Sequence, residues 1–563
     1  MIQRFHTHFS LFSLAAVAVA AGAVLAGSSL AATAETEPFL DERADGAAVY
    51  LAPRGAYSTG KELGSEIAAY DPLSRRIFAT NGADVRVDVL DARNLDNLTL
   101  ITSIDITPYG ADLQSVAVSN GRLAIAIAAD PVTDPGVVAI LDTRTLRKIA
   151  VVPVGALPDS VTFTHDGRFL LVANEGEPRC VDTIDPTQAV NPEGSVTVIE
   201  FAGRAGVKSV RTADFKAFNN RRDELIAAGV RLNWPDATVA QDLEPEYIAI
   251  DGNTAWVALQ ENNALAVLDI RTATFTDIIP LGRKDHSVEG AGLDASDRDG
   301  PTPGNNPAIN IQPWPVLGMY MPDSIAAMKH RGATFILSAN EGDAREYFRN
   351  NDENQGACFV DVARLNAFPQ ANVDIPDFAN LRNNARLGRL NVSTTDGKDS
   401  VTGKYTSLHA FGARSMSIWS ADGELVWDSG DAIEQITAQI QRETGKLVFN
   451  TNRAGSATWD TRSDDKGPEP EGIAVGSAWG RTYAFVGLER QNGVIVFDVT
   501  DPTAPSFVQL IATTNYQGGG DVSPEGLQFV PAGISGGPNP LLIVSYEGLG
   551  STRVFELKRK KGR

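Results

Sequence analysis

Cysteine is nearly absent from this chain: Cys180 and Cys358 are the only two in 563 residues, beside six histidines. No cysteine pair has zinc-ligand spacing, and no His-Glu-x-x-His occurs, which excludes the common zinc centres. There is no Gly-x-Ser-x-Gly elbow and no P-loop, so serine-triad hydrolysis and Walker-type nucleotide chemistry lack their signatures. Positive charge is also scarce, with 49 Lys and Arg against 70 Asp and Glu, a net charge of −21. Such acidity argues against nucleic acid or anionic lipid as a partner and permits divalent cations.

Long apolar runs are missing after the first residues. Arg4, the run from Leu11 to Ala26 and the small-residue exit Ala32-Thr33-Ala34 read as a secretory signal over 1–34. The run is short for a membrane span, and no later stretch reaches the roughly 18 apolar residues that a span needs. Cleavage is favoured over retention as an anchor, no cysteine near the exit offers a lipid attachment point, and the mature chain is expected to be periplasmic or secreted without a transmembrane segment.

What is present is a repeat. A small polar or acidic residue opens a short strand, a turn follows, and a second strand ends in an acid. Pro158-Asp159-Ser160-Val161 with Phe169 to Asn174-Glu175, and Pro322-Asp323-Ser324-Ile325 with Phe335 to Asn340-Glu341, are the clearest copies. Others begin at Glu66, Gln114, Pro245-Glu246, Pro470-Glu471 and Pro524-Glu525. Repeats of several short strands are the mark of a β-propeller. The hairpin Arg414–Trp419 and Glu424–Trp427 around Asp422-Gly423 reads as the outer half of the fifth unit, which keeps the count at seven.

The expected fold is therefore all-β, a seven-bladed β-propeller over 47–557, closed by its N- and C-terminal strands. Ala47 to Ala52 would complete the last unit, which supplies only three strands before Leu557. A linker spans 35–46, insertions fall at about 176–240, 283–316, 346–405 and 431–466, and a basic tail occupies 558–563. Two insertions read as helical: Phe215 to Val230, with Phe218, Leu225 and Ile226 on one side, and Asp431 to Thr444, with Ile433, Ile436 and Ile440 behind an Asp N-cap. Their apolar faces are expected against the disc. The polar stretch from Asn350 to Tyr405 reads as a lid or mobile arm.

Strand starts and second-strand ends share one sheet edge in an antiparallel blade. Asp159, Glu175, Glu246, Glu261, Asp323, Glu341, Glu471, Glu489, Glu525 and Glu547 should therefore gather at one channel mouth. Ten such carboxylates require protonation, pairing with bases or a bound metal. Arg179, Arg345 and Arg490 follow Glu175, Glu341 and Glu489, and the hard oxygen donors suit Ca²⁺ or Mg²⁺. Any single acid could equally cap backbone amides. The duplicated hexamers Asn174-Glu-Gly-Glu-Pro-Arg179 and Asn340-Glu-Gly-Asp-Ala-Arg345 favour a functional mouth, with Glu175, Glu177, Asp323, Glu341, Asp343 and Glu489 as candidate metal ligands. Asp297-Arg-Asp299-Gly300 resembles part of an EF-type loop, but Ala295 holds the first ligand position, so a solvated loop is preferred. His286 is the one histidine in such a setting. Cys180 and Cys358 each open a long insertion and could form a disulfide, though sequence leaves open whether they meet.

At Asn174–Arg179, Lys284-Asp-His-Ser287, Met321–Ser324, Asn340–Tyr347, Gly467–Gly472 and Phe497–Pro502 the sequence resembles the choice-of-anchor I family, over about 47–557. The resemblance implies an extracytoplasmic seven-bladed propeller. Some members carry alkaline-phosphatase or phytase-like labels, and most append a carboxy-terminal surface anchor, in whose place this chain has Lys-Arg-Lys-Lys-Gly-Arg. A metal-dependent phosphoesterase acting on a small phosphorylated substrate follows as the first functional expectation, with Arg179, Arg345, Arg490 and His286 as catalytic candidates. A non-catalytic propeller binding calcium, protein or glycan, with protein partners reached through the insertions, is the alternative. A lactonase-like hydrolase is a third.

Overall fold

The computed structural model describes residues 39–560 except 204–205, 302–305, 454 and 517–518. The segment read as a secretory signal lies outside them. The described residues form seven antiparallel sheets of four or five strands in sequence order. Their first strands are Ala68–Asp71, Asp112–Ser119, Pro158–Phe163, Pro245–Asp251, Ile325–His330, Pro470–Ala478 and Pro524–Val530. The second strands are Arg76–Asn81, Arg122–Ala128, Phe169–Asn174, Thr254–Leu259, Ala333–Asn340, Arg481–Leu488 and Leu541–Tyr546.

Burial explains the strand composition. Arg122–Ala128 is buried at every position, whereas the outer strand Val207–Asp214 alternates. An inner strand with sheets on both faces reads as a continuous apolar run, and an outer strand half in water alternates. Apolar cores are shared by successive sheets: Ala124, Val138 and Ile140 of the second meet Val161, Leu170 and Val172 of the third, and Phe485 and Val494 of the sixth meet Leu542 and Phe555 of the seventh. Ile77 and Leu90 of the first sheet pack on Leu541 and Ile543 of the seventh. The first strands also touch in this order, Pro524–Val530 lying against Ala68–Asp71. The architecture is an all-β propeller.

The strand Val49–Ser58 pairs antiparallel with the last strand, Ser551–Arg559, as the fourth strand of the seventh sheet. The stretch read as a linker is not wholly irregular, because Leu40–Arg43 pairs with Ser506–Ala512 as a fifth strand of the sixth sheet. The basic tail likewise begins inside the last strand, which runs on to Arg559. Ser415–Ser420 and Leu425–Asp428 complete the fifth sheet, as expected of the hairpin.

The insertions differ from expectation in detail. The first helix is a 3₁₀ turn, Lys216–Arg221, continued by an α-helix, Arg222–Ala228, that Gly229 ends. Phe218 and Leu225 are buried, but Ile226 is exposed. In Ala432–Thr444 the N-cap Asp431 makes no backbone cap and accepts instead from Gln435 Nε2. The polar stretch read as a lid is packed: Leu365, Phe378, Leu387 and Val392 share a core with Leu293, Trp314 and Val316 of the preceding insertion. A disulfide joins Cys180 to Cys358 across 178 residues and ties two insertions together beside Trp234 and Tyr347. Among the described residues no helix is long and apolar enough to cross a membrane.

Candidate carboxylate mouth

The strand entries fix where the acids stand. Leu157, Met321, Glu469 and Ser523, each directly before the Pro that opens a repeat, adopt left-handed backbone conformations although none is glycine. Such residues cost of order 1–3 kcal/mol each and persist only where the surroundings hold them. Here the carbonyls of Leu157, Glu469 and Ser523 accept the amides of Glu175, Glu489 and Glu547. The entry of one strand thus sets the position of the acid that ends the next.

The duplicated Asn-Glu-Gly has the same kind of cause. Asn174 Nδ2 donates to Ser195 and Thr197 hydroxyls at 3.1 and 3.0 Å, and Asn340 Nδ2 to Ser415 and Ser417 hydroxyls at 3.1 and 2.7 Å. Each Asn stitches the second strand to the third. Gly342 and Gly412 both have positive φ, and a Cβ on Gly412 would stand 2.0 Å from the Glu341 carbonyl oxygen. The Asn and Gly of the hexamer are therefore structural, and the acid between them faces the mouth.

The carboxylates do converge. Three groups each place one oxygen per residue within 4.8 Å of the others: Glu175, Glu246 and Glu261; Asp323, Glu341 and Glu471; and Glu341, Glu469 and Glu489. Asp159, Glu525 and Glu547 are buried nearby, and the charges of Asp323, Glu525, Asp159 and Glu471 all act on Tyr247, whose ionisation burial already opposes. Glu66, at the entry of the first sheet, and Glu469 belong to the same set. Sequence reading passed over both as ligands, although Glu66 opens a repeat and Glu469 precedes Pro470-Glu471.

Arg490, as its place after Glu489 suggests, and three cations missed in the sequence meet the third group. Lys466 Nζ lies 2.5 Å from Glu341 Oε1, and Arg462 Nε lies 2.6 Å from Glu469 Oε1. Arg490 Nε contacts Glu489 at 2.9 Å and Glu469 at 3.2 Å, and Arg453 Nη2 contacts Glu489 at 3.0 Å. Burial alone would raise Glu489, but Arg490 and Arg453 outweigh it and hold the acid down at about 2. Glu471 and Glu547 go the opposite way. Burial, reinforced by Glu489 and Glu525, pushes Glu471 well above the carboxylate range, and its carboxyl hydrogen-bonds with those of Glu489 and Glu525. Burial likewise pushes Glu547 to about 8, against the pull of Arg453.

The remaining candidates fall in different places. Glu177 and Asp343 line a cavity of about 120 Å³ at this mouth together with Glu261, Arg462, Lys466 and Arg490. Arg345 does not line it: its side chain is fully buried, with Nη1 2.5 Å from Asp242 Oδ1 and Nη2 3.1 Å from Glu244 Oε2. Arg179 is half-buried and pairs through its backbone with Val190, beside the disulfide. His286 is buried away from the cavity, its Nδ1 2.6 Å from the Ala291 carbonyl. Burial, then the Lys284 charge, holds that imidazole neutral. The EF-like segment is not a solvated loop, since Leu293 to Ser296 are buried and Asp297 pairs with Arg389 at 3.0 Å.

The donors of the first two groups are all hard oxygens, without histidine or cysteine. Their spacing fits an oxygen-preferring divalent ion, for which metal–oxygen distances are about 2.3–2.6 Å for Ca²⁺.

The choice-of-anchor I domain model matches residues 66–502. Gigasin-3a of Magallana gigas is 30% identical over 195 residues, covering 32% of this chain and 67% of that protein. The mesenchyme-specific cell surface glycoprotein of Strongylocentrotus purpuratus is 30% identical over 296 residues, 46% of this chain and 35% of its own length, so the chain spans about a third of that relative. Among solved structures, hydrazine synthase of Kuenenia stuttgartiensis aligns at 13% identity and a TM-score of 0.41, over 90% of this chain and 99% of that one. The chain belongs to the choice-of-anchor I domain family.

Proposed function

We propose that this protein is an extracytoplasmic, seven-bladed propeller closed by its terminal strands, whose carboxylate mouth binds a divalent cation, Ca²⁺ by donor chemistry, and which works as a cation-dependent binding scaffold. The observation that carries this reading is convergence: Glu175, Glu246 and Glu261, and likewise Asp323, Glu341 and Glu471, each bring buried oxygens within 4.8 Å of one another, a spacing that suits a divalent cation. The cell-surface description of one relative supports the extracytoplasmic placement.

The phosphoesterase reading requires guanidinium groups free to clamp a phosphoryl group. Arg345 is committed to Asp242 and Glu244, and Arg490 to Glu469 and Glu489. Calorimetric titration of the chelator-stripped protein with Ca²⁺ and Mg²⁺, run beside p-nitrophenyl phosphate hydrolysis, separates the two. The scaffold reading predicts saturable cation binding without turnover. Metal-dependent turnover would replace it with the hydrolase.

A further inference from the structure

A cleft of about 650 Å³ is lined by Arg43, Tyr50, Trp479, Asn539, Lys558, Arg559 and Lys560, four cations and no carboxylate. On a chain of net charge −21 such a lining is a local reversal of sign. Strand direction places it on the disc face opposite the mouth. Pro470–Ala478 leaves the mouth at Glu471 and reaches the far edge at the turn between Ala478 and Arg481, which holds Trp479. The last strand leaves the mouth edge at Ser551, and Lys558 pairs with Tyr50 at the far end.

The cations are not equivalent. Arg43 stacks on Tyr50 at 3.9 Å and is already engaged by Asp41, and Lys558 lies 3.5 Å from Glu556. Arg559 lies over the Trp479 ring at 5.4 Å, and it and Lys560 are exposed. A guanidinium held over an aromatic ring keeps N–H groups directed to the side, where an anion can take them in pairs. Trp479 itself sits at φ +51 before Gly480, a turn position that usually goes to Asn, Asp or Gly. A bulky ring held there at a cost in backbone strain is half-buried against the cleft.

We propose that this cleft binds an anionic polysaccharide, a chain of sugars carrying carboxylate or sulfate groups, through Arg559 and Lys560, with the Trp479 ring against a sugar face. The concave shape admits a slender chain, and no aliphatic tip projects from it to enter a bilayer. The acidic remainder of the surface repels a broad polyanion such as duplex nucleic acid but leaves a short segment free to enter. The inference rests on the extracytoplasmic placement proposed above, not on cation binding at the mouth.

The test is calorimetric titration of the purified protein with polygalacturonate and heparin oligosaccharides, with maltohexaose as the neutral control. Binding of an acidic oligosaccharide in chelator, weakened at least tenfold in Arg559→Ala/Lys560→Ala and weakened in Trp479→Phe, supports the proposal. Retention of the wild-type thermal unfolding midpoint in these variants separates loss of binding from loss of fold. Equal affinity in the double variant, no binding of either acidic oligosaccharide, or binding only to phosphatidylglycerol vesicles would overturn it. Binding that vanishes in chelator would move the polysaccharide to the cation mouth and also overturn it.

Discussion

Lys466 Nζ reaches the Glu341 carboxylate at 2.5 Å from an insertion 125 residues downstream, with both side chains largely buried. The pair shows how the mouth tolerates its own acids: an insertion folds over the disc and delivers positive charge where the repeat has concentrated negative charge. Lys466→Met should lower the thermal midpoint strongly, since stranding a buried charge costs about 3–5 kcal/mol. Added Ca²⁺ should recover more stability in this variant than in the wild type. Differential scanning calorimetry with and without the ion checks both.

Arg345 is an anchor between insertion and sheet. Its guanidinium also donates to Asn233 Oδ1 at 2.6 Å and to the Asp242 carbonyl at 2.8 Å. Replacing it with Met takes the cation from buried Glu244 and leaves Asp242 with Arg222 alone, a loss of about 3–5 kcal/mol. Lysine should recover only part of this, because it lacks the fork that serves both acids. Unfolding midpoints in urea give the comparison, and a Met variant as stable as wild type would contradict the assignment.

Asp460 sets a pH dependence. Burial, helped by the charges of Asp299 and Asp297, pushes its carboxyl to about 8, against the hydrogen bond that Ser463 Oγ donates to Oδ1 at 2.6 Å. The native state therefore holds a proton that the unfolded chain releases near 4, so this group lowers stability as pH rises from about 4 to about 8 and changes little beyond. Asp460→Asn keeps an oxygen for Ser463 and should raise the melting temperature at pH 8 more than at pH 4. An equal shift at both pH values would contradict the raised carboxyl.

The Cys180–Cys358 bridge spans 178 residues of sequence but joins segments already packed around Trp234 and Tyr347. A disulfide stabilises mainly by constraining the unfolded chain, more for longer loops, so this 178-residue loop should place the loss toward the upper end of about 2–5 kcal/mol. Cys180→Ala/Cys358→Ala should melt earlier than the wild type, and proteolysis near the bridge should accelerate while the sheets stay protected. Limited proteolysis with mass mapping of the first cuts is the readout.

The repeat made the sheets legible because it is local: Pro-acid openings, a turn and an apolar second strand each read within about fifteen residues. Convergence of the acids followed from strand alternation alone. What stayed hidden was non-local. Lys466, Arg462 and Arg453 lie in an insertion whose return path no periodicity encodes, and Arg345 follows Glu341 in sequence yet points to Asp242 and Glu244. Leu40–Arg43 is too short to announce itself as a strand, and its edge exists only once Ser506–Ala512 is in place. Spacing could suggest the cysteine pairing, but only folded insertions bring the two together.

The central claim is that buried oxygens at the mouth hold a divalent cation, and Glu471, grouped with Asp323 and Glu341, reports on it most directly. The decisive measurement is the melting temperature of chelator-stripped protein as Ca²⁺ is added back, in the wild type and in Glu471→Gln. The account predicts a saturable rise in the wild type, about 2.7 kcal/mol of stabilisation at a hundredfold excess over the dissociation constant, and a much smaller rise in the variant. A melting temperature that ignores Ca²⁺ and Mg²⁺ in the wild type would contradict it.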